Sequence, residues 1–164
     1  MSVKPKVQIV TVDGSSFDNG TKRAKAGYSV FFGQGDPRNR SEPVLGDKQT
    51  NNVGEMMGVH EALRLSDPDV PTIIYTDSQY VVKGLVGRNG KRPWCETWEH
   101  NGWRTASRQP VKNAGLWKSM RAIAKTRKLV RLEWVRGHAG HVGNETADAM
   151  AKAGALMARP LLKK

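Results

Sequence analysis

The sequence has one cysteine and no long apolar run. Cys95 is the single thiol in 164 residues, which excludes an internal disulfide and leaves the redox compartment open. A reducing interior is the simpler assumption, so an intracellular location is expected, with cytoplasm and nucleus not distinguished. No stretch is long enough to cross a bilayer, and the opening MSVKPKVQ has no apolar core of a secretory signal. No repeat, low-complexity tract or linker divides the chain. Residues 1–164 are therefore expected to form one domain around a single core. Acids are scarce as well: 15 Asp+Glu stand against 27 Lys+Arg, a formal net charge of +12. Such an excess favours a polyanionic partner through counterion release and steering. A generally basic surface explains the bare number equally well, so distribution must decide.

What is present is a globular composition, 38% hydrophobic and 26% charged. Residues 6–13 (KVQIVTVD), 26–33 (AGYSVFFG) and 42–46 (EPVLG) read as strands, with Tyr28, Val30 and Phe32 alternating. The turn-rich stretches between them suit antiparallel neighbours. From Asn52 the period changes, and Met56, Val59 and Leu63 share one helical face. A compact strand at 71–76 and a helix from Ser78 to about Val86 follow. Next come a helix over 113–126 built on Leu116, Met120 and Ile123, and a strand over 129–136. A last helix over roughly 143–158 packs through Ala147, Ala151 and Gly154. Three strands and then alternating helix and strand predict an α/β fold with a part antiparallel, part parallel sheet.

Asp13 ends the strand QIVTVD and Asp77 ends TIIYTD. If those strands are parallel neighbours, both carboxylates leave the sheet at one edge, where such sheets bind ligands. Glu55 falls in the first turn of one helix and Asp148 in the second turn of another. Four converging acids would repel one another without a cation among them, and hard Mg²⁺ prefers oxygen ligands. Each acid also has a plainer explanation. Asp13 before Gly14 suits a turn, Asp77 before Ser78 a helix cap, Asn52 with Glu55 a capping box, and Asp148 with Lys152 an i,i+4 ion pair.

The words around the acids are VDGSSFDNG, TNNVGEMMGVHEAL, YTDSQYVVKG and EWVRGHAGHVGNETADAMAKAGA. In this order they resemble the ribonuclease H family, in its cellular type-one branch, over about residues 6–158. The resemblance implies a ribonuclease H-like α/β fold, a five-stranded mixed sheet with three antiparallel strands and then parallel ones, flanked by helices. It implies hydrolysis of the RNA strand of RNA–DNA hybrids with two Mg²⁺ ions, Mn²⁺ being a substitute, leaving 5′-phosphate and 3′-hydroxyl ends. Carried over by motif, Asp13, Glu55, Asp77 and Asp148 are the metal ligands. His138 is the family's mobile histidine, with His141 a lesser alternative, and Glu145 could help exchange a metal. Asn19, Asn51, Asn52 and Gln79 match positions that read the RNA strand, although capping explains Asn51 and Asn52 as well. Lys48, Thr50 and Asn113 match a grip on a DNA phosphate. The segment 87–113 looks like the family's basic protrusion. Its Lys91, Arg92, Arg104, Arg108 and Lys112 lie among Trp94, Trp98 and Trp103, and on a helix Trp94 and Trp98 share a face, suiting a DNA backbone groove.

The match strains in places. Val53 and Gly54 replace the usual basic and large apolar residues, which puts glycine in a first turn at up to roughly 1 kcal/mol. Gly58 repeats that cost, and the segment before Trp94 is longer than usual. The amino-terminal hybrid-binding domain of many eukaryotic relatives is not expected. No membrane and no obligate protein partner is expected, and a monomer suffices. The alternatives are a non-catalytic hybrid-binding module, another nuclease on this fold, and a domain cut from a retroelement polyprotein.

Overall fold

The computed structural model describes residues 7–137 and 142–157. Its elements run β1 (Gln8–Phe17), β2 (Lys25–Phe31), β3 (Arg40–Pro43), α1 (Asn51–Leu65), β4 (Thr72–Thr76), α2 (Gln79–Leu85), α3 (Trp94–His100), α4 (Ala114–Thr126), β5 (Val130–Trp134) and α5 (Val142–Leu156). The strands lie in the order β3-β2-β1-β4-β5. The first three pair antiparallel, and β4 and β5 add on in parallel beside β1. This is the expected mixed sheet.

Both faces of β1 are covered. Val10, Val12 and Gly14 turn toward α1, where Val12 meets Gly58, while Thr11 and Asp13 turn the other way, toward α5. That second face is lined by small groups: Ser29 Oγ donates to the Ala147 carbonyl at 2.6 Å, and Ala147, Ala151 and Ala155 are fully buried. A helix with an alanine stripe can lie close to a sheet, and α5 does so. A Cβ on Gly27 would sit 2.1 Å from the Ala155 nitrogen. The α1 face holds the main core of Val30, Met56, Val59, Ile74, Trp117 and Met120.

Three expected boundaries need correction. β1 does not end at Asp13 but continues to Phe17, because residues 14–17 find partners in β2 (Gly14↔Tyr28 to Phe17↔Lys25). The third strand is Arg40–Pro43 rather than 42–46; Leu45, read as part of it, is 87% exposed. α1 starts at Asn51, capped by Thr50, whose hydroxyl accepts from Val53 N–H at 3.1 Å. A capping box from Asn52 to Glu55 is therefore not the device that starts this helix.

Trp117 anchors α4 with no exposed surface, its ring against Gly84 of α2, where a Cβ would meet it at 2.2 Å. Trp117→Ala is expected to lower stability by about 3–5 kcal/mol, read from the urea midpoint. Among the described residues no helix is long and apolar enough to cross a membrane.

Candidate metal centre and nucleic-acid cleft

The parallel register sets the first two acids side by side. Thr11 pairs with Tyr75, so Asp13, within β1, and Asp77, just past the end of β4, each two residues further on, stand at one level. Asp13 is 2% exposed, and one of its oxygens, Oδ1, accepts from Gly14 N–H at 2.9 Å. Trp134 Nε1–H donates to the Asp77 carbonyl at 3.1 Å, tying the end of β4 to β5. Glu55 arrives from α1 because glycines let the helix touch the sheet. A Cβ on Gly14 would lie 2.3 Å from the Glu55 nitrogen, and one on Gly54 2.7 Å from the Gly27 carbonyl. The glycine that looks costly in a first turn is thus what admits the helix.

One carboxylate oxygen from each of Asp13, Glu55 and Asp77 lies within 4.8 Å of the others. Asp148 stands beside Asp13 from α5 and ion-pairs with Lys152 at 3.0 Å. Burial first, then the Asp77 charge, pushes the Asp13 carboxyl up to about 8, and Asp148 adds to the rise. Glu55 is raised well above the carboxylate range by burial, then by Asp13 and Asp77. Its Oε2 is buried without a hydrogen-bond partner. Crowded, dehydrated carboxylates with an orphaned oxygen fit an oxygen-seeking divalent cation.

Of the plainer explanations, the turn fails because Asp13 is inside a strand. The cap fails because Ser78, not Asp77, accepts from Val81 N–H. Only the Asp148–Lys152 pair is present. Glu145 is exposed in the first turn of α5. His138 and His141 lie outside the described residues.

A cleft of about 750 Å³ opens at the start of α1. Asn19, Asn51 and Asn52 line it together with Lys48, Thr50 and Asn113. Asn19 Oδ1 accepts from Asn51 N–H at 3.3 Å, and Asn113, left-handed at φ 60°, makes no capping bond with its side chain. Gln79 is exposed at the start of α2 and is not part of this wall. Tyr80 and Lys112 also line the cleft and continue into a groove walled by Trp94 and Trp98. The two indoles share a face of α3 with centroids 5.9 Å apart. Trp103 and Trp98 are half-buried and pack against the core. Tyr80 was legible only as part of YTDSQY, and nothing local singled it out.

The RNase H family model matches residues 5–156. Ribonuclease H of Schizosaccharomyces pombe is 41% identical over 90% of this chain, which spans 53% of that protein's length. Ribonuclease H of Bradyrhizobium sp. (strain ORS 278) is 39% identical, covering 97% of this chain and 96% of the relative. The crystal structure of LC9-RNase H1, a type 1 RNase H with the type 2 active-site motif, superposes with a TM-score of 0.69 at 29% identity, covering 98% of this chain and 77% of that one. The solution structure of the PFV RNase H domain shares the fold, with a TM-score of 0.67 at 22% identity over 91% of this chain and 94% of that one.

Proposed function

The chain belongs to the ribonuclease H family and is an enzyme of that family, and from this premise we propose that it cuts the RNA strand of RNA–DNA hybrids internally, by a two-metal mechanism leaving 5′-phosphate and 3′-hydroxyl ends. The supporting observation is the Asp13, Glu55 and Asp77 cluster, into which α1 brings Glu55 directly after the first turn that lines the polar cleft. Two Mg²⁺ ions, for which Mn²⁺ can substitute, would be held by Asp13, Glu55, Asp77 and Asp148 and supply an activated water and a neutralised leaving oxygen.

The chain's own groups divide the remaining work. Because Asn19 spends its carbonyl on Asn51 N–H, its amide N–H₂ is left to donate to a 2′-hydroxyl. Asn51 and Asn52, relieved of capping by Thr50, present amides that both donate and accept there, and Gln79 does the same from α2. The Thr50 hydroxyl accepts from Val53 and so keeps its own proton to donate to a DNA phosphate, beside Lys48 and Asn113. Trp94 and Trp98 offer flat apolar faces to the DNA sugars, which lack the 2′-hydroxyl. His138 is assigned proton transfer or product departure, and Glu145 metal exchange.

The test is cleavage of a labelled hybrid in Mg²⁺ beside duplex RNA, duplex DNA and single-stranded RNA. Internal cuts confined to the hybrid's RNA are expected. Asp77→Asn, nearly isosteric, is expected to remove them. Cutting of duplex DNA, or hybrid binding that never leads to cleavage in Mg²⁺ or Mn²⁺, would overturn the proposal.

A further inference from the structure

α1 and α4 pack side by side, and each brings part of the cleft at its start. Thr50 caps α1, Asn113 caps α4, and both line the cleft beside Lys48. The phosphate grip therefore draws its groups from two helices, and its width depends on the gap between them. Val59, Leu63, Met120 and Ile123 of the two helices meet in the core, but apolar attraction is non-directional and does not by itself fix a separation.

Two polar links do. Arg127 Nε–H donates to the Leu63 carbonyl at 3.1 Å and ties the far ends of the helices together. Nearer the cleft, His60 Nε2 lies 2.8 Å from Ser119 Oγ, and His60 Nδ1 lies 2.9 Å from Glu61 Oε2. Arg64 holds Glu61 from one turn further on, at 2.6 Å. Burial opposes ionisation of Glu61, but the bonds from Arg64 and His60 outweigh it and hold the carboxyl below its usual range. An ionised carboxylate only accepts, so Nδ1 carries the proton, and in the neutral ring Nε2 accepts from the Ser119 hydroxyl. The same order of groups activates a nucleophile elsewhere. Ser119, however, points from the interior of α4 at α1 and lines neither the cleft nor the aromatic groove. Here the chain of bonds is a link. At 1.5 Å per residue it lies roughly 15 Å along α1 from Thr50 and roughly 9 Å along α4 from Asn113.

We propose that Glu61, His60 and Ser119 form a positioning strut that fixes the separation of the Thr50 and Asn113 caps, and with it the grip on a DNA-strand phosphate. The proposal rests on the hybrid reading for the identity of that strand. None of the three touches the substrate; they act through the two caps. A grip held at its working width loses less freedom on binding than one that must be assembled each time. α1 is seated on the sheet backbone through Gly14 and Gly54, so without the strut α4 is the helix that drifts, and Glu55 keeps its place.

The test is a double-mutant cycle of Ser119→Ala with Asn113→Gly, glycine being at ease at the left-handed φ of 60°. Binding of a labelled hybrid is followed by anisotropy in EDTA. Each single variant is expected to bind about tenfold more weakly, the worth of one hydrogen bond to a charged group. The pair is expected to bind about as weakly as Asn113→Gly alone, because a cap already stripped has no grip left to lose. In Mg²⁺ the Ser119→Ala loss should fall on KM and leave kcat unchanged. Alanine is a good helix former, so the variant should fold; if it melts below the assay temperature, His60→Leu opens the same gap from α1. Thr72→Val removes a hydroxyl bond to the Val70 carbonyl before β4 and is expected to bind as wild type. Wild-type affinity in Ser119→Ala would overturn the proposal. So would independent, multiplying effects in the pair, or equal weakening by Thr72→Val, which would reduce the strut to general stability. A wild type that binds the hybrid and never cuts it refutes the hybrid reading instead, and the binding cycle still decides the strut.

Discussion

Asp13→Asn should abolish cleavage while making the metal-free protein more stable above neutral pH. The carboxyl is 2% exposed, and its pKa stands at about 8 against 3.8 for the free group. Between those values the folded chain holds a proton that the unfolded chain has released. Stability is therefore greatest below the unfolded pKa and falls as pH rises, until the folded group has also titrated. The loss grows by about 1.4 kcal/mol for each pH unit between the two values. An amide at this position does not ionise and escapes that loss, but it offers a cation one neutral oxygen in place of a carboxylate. Thermal melts in EDTA at about pH 5 and about pH 9 check the sign. Wild type should melt lower at the alkaline value, the variant should lose less, and added Mg²⁺ should restore wild type by binding the folded state. A metal-free wild type whose melting temperature does not change across that range would contradict the buried, crowded site described above.

Gly14→Ala should damage both fold and chemistry. Its Cβ would sit 2.3 Å from the Glu55 nitrogen and 2.5 Å from the Gly54 carbonyl carbon, both of them backbone. No side chain can rotate out of the way, so α1 must move and carry Glu55 with it. Overpacking of this kind costs about 3 kcal/mol, and a shift of a catalytic group by about 1 Å can cost about a hundredfold in kcat. Gly58→Ala is the contrast. Its nearest neighbours, Val12 Cβ and the Asp13 and Ser29 carbonyls, lie at 3.2–3.3 Å, and alanine favours helix by about 1 kcal/mol, so stability should change little. Urea midpoints and kcat for the two variants separate these outcomes. A Gly14→Ala enzyme of wild-type stability and rate would show that α1 is not seated on Gly14.

Local pattern carried a good part of this structure. The alternation of Tyr28, Val30 and Phe32, the helical spacing from Met56 to Leu63, and acids at the ends of two apolar runs are properties of a few adjacent residues. They located β2, α1 and the Asp13–Asp77 pair. What local pattern does not hold is who sits opposite whom. β1 runs on to Phe17 only because β2 returns to pair with it. Thr50 rather than Asn52 caps α1 because the helix begins one residue earlier than its apolar period. Gly54 is a propensity penalty in its own helix, and only its contacts with Gly14 and Gly27, remote in sequence, give it a purpose. Trp117 passed unnoticed beside the more conspicuous Trp94, Trp98 and Trp103, although it is the most deeply buried of these indoles. In the candidate site, the acids and the cleft amides were legible through motif. Tyr80 and the link from His60 to Ser119 were not, since each counts only where separate elements meet.

The order in which the acids are strung along the chain has a consequence for synthesis. Asp13, Glu55 and Asp77 belong to the first half, whereas Asp148 rides on α5, which crosses β1, β2 and β3 and leaves the ribosome after every strand of the sheet. With Asp148 doing the part proposed for it, a nascent chain carries an incomplete centre until its last helix docks. Cleavage of a hybrid is thus withheld until α5 has covered the second face of the sheet.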